Sequence, residues 1–175
     1  MKFSVKSAAM SVLSVLVVAP ALLAAGSASA QTVRGMEGSY LGGGASVGLN
    51  SEVDGNNANF GGNVQGRFDI PQAPVSLRGA ALITGSSVNL VPTVTVDLGV
   101  APNTNLYLGG GYSFATNEGS TSALGNQNSA VLTAGVETAV RRNIALYSDV
   151  KVALNGIADS NKTPVSVQVG AAYRF

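Results

Sequence analysis

The chain has 175 residues, with Lys+Arg 10 against Asp+Glu 9, and contains 22 Gly but no Cys, His or Trp. Without Cys or His there is no thiolate nucleophile, disulfide, Cys/His zinc site, His general base or Ser-His-Asp triad, which excludes most hydrolase chemistry. The near-zero net charge offers no basic field for nucleic acid, and 46% hydrophobic residues with only 11% charged argue against a charged disordered chain.

In chain order, Lys2 and Lys6 precede an apolar run that ends in the small residues Ala28-Ser29-Ala30. This is the three-part form of a secretory signal peptide over residues 1–30, with Ala28 and Ala30 at the cleavage site. An uncleaved anchor is the alternative, because Ala8 to Ala25 approaches bilayer-spanning length. Pro20 interrupts that stretch and no basic stop-transfer cluster follows it, which favours cleavage. Removing residues 1–30 leaves 145 residues, with eight basic side chains against nine acidic ones. That length fits one domain, 40–175, preceded by a short N-terminal segment, 31–39. No later apolar run is long enough for a membrane-spanning helix, so any membrane crossing must use strands. With no Cys, a lipoprotein anchor is impossible.

Period-2 alternation then recurs in eight runs: residues 40–49, 60–70, 75–84, 88–100, 105–114, 130–140, 144–154 and 165–175. Each is long enough to cross a bilayer as a tilted strand of about 9–11 residues. In the second run Phe60, Val64, Phe68 and Ile70 share a face with Gly62 and Gly66, while Asn63, Gln65, Arg67 and Asp69 take the other. The last run repeats the division, with Val165, Val167, Val169, Ala171, Tyr173 and Phe175 against Ser166, Gln168, Gly170, Ala172 and Arg174. Links 71–74, 101–104 and 141–143 are short, whereas 50–59, 115–129 and 155–162 are longer and rich in Asn, Gly and Ser. The tight 85–87 link breaks this alternation. No apolar set recurs at helical spacing, so the fold is all-β.

A soluble β-sandwich or lipocalin-like barrel also alternates, and periodicity alone does not separate it from a membrane barrel. Three features favour the membrane version. The apolar face is nearly free of charge, while the other gathers Arg67, Asp69, Arg78, Asp97, Glu137, Asp149, Lys151 and Arg174. Aromatic residues fall near run ends, with Tyr40, Phe68, Tyr173 and Phe175 toward the short turns and Phe60, Tyr112 and Phe114 toward the long loops, as two interfacial girdles would. The last run closes as Ala-Ala-Tyr-Arg-Phe, an alternating strand ending on Phe175.

With that terminus the chain resembles the small eight-stranded OmpA-like or opacity-type bacterial outer-membrane barrel family, over residues 40–175. The stretches Leu106-Tyr107-Leu108-Gly109-Gly110-Gly111-Tyr112 and Ala134-Gly135-Val136-Glu137 look like its fifth and sixth strands. The resemblance implies an antiparallel up-and-down transmembrane β-barrel in the outer membrane, surrounded by lipid and expected to be monomeric. It also implies that Tyr173 and Phe175 form the signal read by the barrel-assembly machinery. The sequence departs from OmpA in stopping at Phe175, so no peptidoglycan-binding domain is expected after the barrel.

Eight strands enclose an interior just wide enough for side chains to fill it. The eight lumen charges comprise four of each sign, and shielded charges are costly unless paired, so a polar plug is expected rather than an ion-gating constriction. With a turn at 71–74, Arg67 falls roughly opposite Arg78, and that pair needs Asp69, Asp97 or Glu137 nearby.

The runs Gly42-Gly43-Gly44 and Gly109-Gly110-Gly111 complete no phosphate-binding motif and read as strand positions that permit curvature. The lumen carboxylates have balancing cations on the same face, which favours ion pairing over acid/base catalysis. Outer-membrane enzymes of the His-dependent phospholipase, protease and lipid A deacylase types are excluded. Glu52 and Asp54 supply too few oxygens for a calcium site, and no metal or other cofactor is expected. Three functions remain: a structural or surface-interaction barrel, a narrow pore for ions or very small solutes, and a soluble periplasmic β-barrel that binds a ligand inside.

Overall fold

The computed structural model describes residues 35–49, 58–71, 73–85, 87–116, 122–154, 156 and 163–175. The signal peptide with Ala28 and Ala30, the Glu52–Asp54 turn and much of the three long connections lie outside these residues. Alternating side chains bury one face of each run and expose the other, and a sheet of such strands covers its buried face by closing on itself. The strands are β1 (Tyr40–Leu49), β2 (Asn59–Asp69), β3 (Val75–Thr84), β4 (Ser87–Ala101), β5 (Thr104–Ala115), β6 (Ser129–Arg141), β7 (Ile144–Leu154) and β8 (Val165–Arg174). They form one closed barrel in chain order, each antiparallel to the next, with β8 paired to β1.

Strand limits differ from the sequence runs by at most a residue or two. At the long-loop end, Gly85 makes the tight β3–β4 link with a φ of 57°. Asn103, with a φ of 59°, turns the chain between β4 and β5, a left-handed conformation that asparagine tolerates. Two register shifts, at Gly99/Ala101 and Ala139/Arg141, lie at the short-turn end. Pro92 has no N–H to donate, and the recorded β4–β5 pairing skips Val91 and Pro92.

The apolar side chains face outward: Phe60 is 76% exposed, Leu108 64% and Phe68 62%. That orientation removes the soluble alternative, in which these residues would fill the interior. Among the described residues no helix is long and apolar enough to cross a membrane; the barrel presents strands instead.

The interior is not lined by polar side chains throughout. Its long-loop half carries an apolar cluster, with Ala80, Leu82, Val91, Val131 and Ala153 packed around Ala123 and Leu124 from the β5–β6 connection, beside buried Asn89, Ser113, Ser129 and Ser166. Tyr40 is inside as well, 1% exposed, and so does not belong to the short-turn girdle. Its position follows from parity: Tyr40 alternates with Leu41, which faces out at 59%. Tyr112, Phe114, Phe60, Phe68, Tyr173 and Phe175 are all exposed.

Candidate functional site

Register places Arg67 of β2 directly opposite Arg78 of β3. Two guanidinium groups at that separation repel unless acidic groups lie between them, and β2 itself, the neighbouring β4 and, across the barrel, β6 supply these. Asp97 of β4 accepts from Arg67 at 2.9 Å and from Arg78 at 2.9 Å. Glu137 of β6 lies 3.0 Å from Arg67 and 2.7 Å from Arg78, so each carboxylate bridges both cations. Asp69 completes the cluster at 2.8 Å from Arg67.

Neutral groups take up the remaining hydrogen-bonding capacity. Arg67 Nε donates to Ser76 Oγ at 2.9 Å, and the Ser76 hydroxyl donates in turn to Asp97. Arg78 Nε donates to Thr95 Oγ1 at 2.9 Å, and Arg78 Nη1 donates to the Tyr40 hydroxyl at 2.9 Å. The Arg78 guanidinium also lies 3.7 Å from the centroid of the Tyr107 ring, a cation–π contact.

A second group sits beside the first. Lys151 donates to Asp149 at 2.6 Å, and the Tyr107 hydroxyl donates to the other Asp149 oxygen at 2.9 Å. Tyr147 donates to Asn63 and stacks on Tyr40 with ring centroids 6.1 Å apart. Both rings need glycines next to them. A Cβ at Gly135 would meet the Tyr107 ring, and one at Gly170 would meet the Tyr147 ring. The Gly42 and Gly44 positions likewise lie against the backbone of β8, where a Cβ would strike the carbonyls of Ala171 and Val169.

Seven of the eight sequence-selected charges therefore fall into two adjoining groups, and Arg174 stands apart. It ends β8 at the short-turn rim, level with Tyr40, where solvent reaches it, and it forms no ion pair among the described residues. The paired interior thus holds three cations against four carboxylates rather than four against four. Among the described residues no group of three or more His, Cys, Asp or Glu is arranged to hold a metal ion.

Residues 35–39 enter the same site, which sequence reasoning left without a role. Met36 is 2% exposed and lies across the short-turn mouth. The Asn105 side chain grips its backbone twice, accepting from Met36 N at 2.9 Å and donating to Met36 O at 2.6 Å. Arg67 donates to Met36 O at 3.2 Å, and Gly38 N donates to Asp69 at 2.9 Å. The Phe175 N–H donates to Ser39 O at 3.1 Å, which ties the segment to the end of the chain. Gly35 leaves no space for a Cβ against Asn105 and the Gly99 backbone, and Gly38 has a φ of 91°. The glycines flanking Met36 were the one sequence signal for this segment, and without a period they were weak.

At the opposite end, Leu124 is fully buried against Leu82, Val91, Val131 and Ala153. Asn63, Gln65, Asn105, Tyr107 and Tyr147 were not among the selected charges; Asn63 and Gln65 share parity with Arg67 and Tyr147 with Asp149, but β5 carries no charged residue to mark Asn105 and Tyr107 as inward.

Eight antiparallel strands with an apolar outer wall and an interior filled by paired charges and tyrosines define an integral outer-membrane β-barrel. Residues 18–175 match the family model described as the outer membrane protein beta-barrel domain, and the chain belongs to that family. No curated protein matches it. Among solved structures, a de novo designed transmembrane β-barrel superposes with a TM-score of 0.56 and 17% identity, covering 83% of this chain and 100% of the design. Neisserial surface protein A superposes with a TM-score of 0.55 and 17% identity, over 81% of this chain and 100% of its own. Ail, the attachment invasion locus protein of Yersinia pestis, superposes in its complex with the heparin analogue sucrose octasulfate with a TM-score of 0.53 and 18% identity. That match covers 80% of this chain and 100% of Ail. At these identities the likeness is one of fold.

Proposed function

We propose that this protein is a non-conducting, non-enzymatic outer-membrane barrel with a structural or surface-interaction role, its long connections being the parts that meet the environment. The observation that carries this reading is the occupation of the interior along its length. The Met36 segment lies across the short-turn mouth, the arginine–carboxylate cluster follows, and Leu124 packs into the long-loop half. An ion on that path must displace a packed side chain and break paired, desolvated charges, both of which are costly. In this reading the barrel is a monomer in lipid, and the exposed Tyr173 and Phe175 serve as the signal for assembly.

Single-channel recording in a planar bilayer tests it, after heat-dependent gel mobility has established a folded barrel. The wild-type protein is expected to be electrically silent. Reproducible current steps that change in Arg78→Ala would replace this reading with the narrow pore.

A further inference from the structure

The described cations of the interior are all paired, yet three at the short-turn end are not. Arg141, Arg142 and Arg174 form no ion pair and no side-chain hydrogen bond among the described residues. They share one sector of the rim. Arg141 ends β6 opposite Ile144, Arg142 opens the β6–β7 turn, and Arg174 N donates to Asn143 O of that turn at 2.9 Å. The other two short turns, at residues 70–74 and 102–103, carry no charged residue. Arg141 and Arg142 are both exposed, and Arg174 is half-buried.

An apolar wall adjoins these arginines. Directly opposed residues of an antiparallel pair point to the same face, and the row Arg141, Ile144, Tyr173, Leu41 runs across β6, β7, β8 and β1. Ile144 is 42% exposed and Tyr173 62%, both on the lipid-facing side. A guanidinium is a planar donor fork matched to phosphate oxygens, and here two exposed forks stand at the edge of a surface made for acyl chains.

We propose that this sector binds the phosphate of an anionic phospholipid, in the leaflet that the short turns face, with the acyl chains lying on Ile144 and Tyr173. Charge complementarity and the apolar wall together favour a lipid headgroup over free phosphate. The site belongs to the outer wall and stands independently of whether the lumen conducts.

The test is an NMR titration of the protein, purified folded from membranes and placed in phosphatidylcholine nanodiscs containing increasing fractions of phosphatidylglycerol. The Nε–Hε signals of Arg141 and Arg142 are expected to shift saturably. Removing one arginine, by Arg141→Gln or Arg142→Gln, should weaken the apparent affinity about fivefold, as expected for one basic group at an anionic surface. Arg142→Lys should restore part of the loss. Heat-dependent mobility identifies any variant that fails to fold, and each variant is read alongside the other. Equal titration curves in wild type and both variants overturn the proposal. So does saturation of the same signals by inorganic phosphate in phosphatidylcholine alone, which would make this a site for the free anion.

Discussion

Arg78 and Arg67 together hold the interior cluster, and Arg78 reaches the middle of the barrel. It bonds Thr95, Tyr40, Asp97 and Glu137 and lies on the Tyr107 ring. Arg78→Met keeps much of the volume but leaves two buried carboxylates dependent on Arg67 and neutral donors. The expected cost is about 3–5 kcal/mol, read as a lower urea midpoint of the refolded barrel. Gln168→Met is the contrasting case. Gln168 is fully buried and neither side-chain amide atom has a partner among the described residues, so an apolar side chain of similar length should leave the midpoint unchanged or raise it. A loss at Gln168 as large as that at Arg78 would mean that volume, not charge pairing, governs the interior. Much of this was legible at the residue scale, because parity alone puts Arg67, Arg78, Asp97 and Glu137 on one face. Parity also put Tyr40 with Gly42 and Ser46, but its place near a strand end suggested a girdle. Arg174 has the parity of the lumen, yet no pattern along one strand says how far into the barrel a residue sits.

The elements that decide what reaches the interior are not strands. Residues 35–39 are held by the two Asn105 contacts with Met36, the Gly38 contact with Asp69, Arg67 on the Met36 and Gly38 carbonyls, and the contacts of Ser39 with Asp69 N and Phe175 N. Asn105→Ala removes the two hydrogen bonds to Met36 and the one Asn105 donates to Glu137 at 3.1 Å, each contributing about 0.5–1.5 kcal/mol, while leaving β5 paired on both sides. The amides of Met36 and Gly38 should then exchange with solvent about tenfold faster or more, with strand amides unchanged. Unaltered exchange at Met36 would show that burial of its side chain and the Arg67 contacts, not the Asn105 grip, fix the segment. Strand limits were readable to within a residue or two because alternation is a repeated signal, and eight runs report it independently. The stopper-like pieces were not. Met36 and Leu124 are single apolar residues in polar, aperiodic stretches, and only the closed barrel gives each a place to be buried.

At the scale of the whole molecule, the three obstructions lie in series along one narrow path, and conduction through barriers in series is limited by the highest. This separates the proposed closed lumen from a gated pore. In a gated pore one element carries the barrier, so Asn105→Ala, which loosens the short-turn segment, or Leu124→Ala, which empties part of the long-loop half, would alone produce current. In the series arrangement each single variant stays silent, because the arginine–carboxylate cluster still spans the barrel between them. Leu124→Ala should nevertheless destabilise the protein by about 2–5 kcal/mol, since it leaves a cavity among Leu82, Val91, Val131 and Ala153. Current is expected only when both ends and the cluster are cut together, as in Asn105→Ala, Leu124→Ala and Arg78→Ala in one chain. Planar-bilayer recording of the two single variants and the triple variant makes the distinction. Steps from either single variant would assign the barrier to that end and turn the barrel into a gated channel.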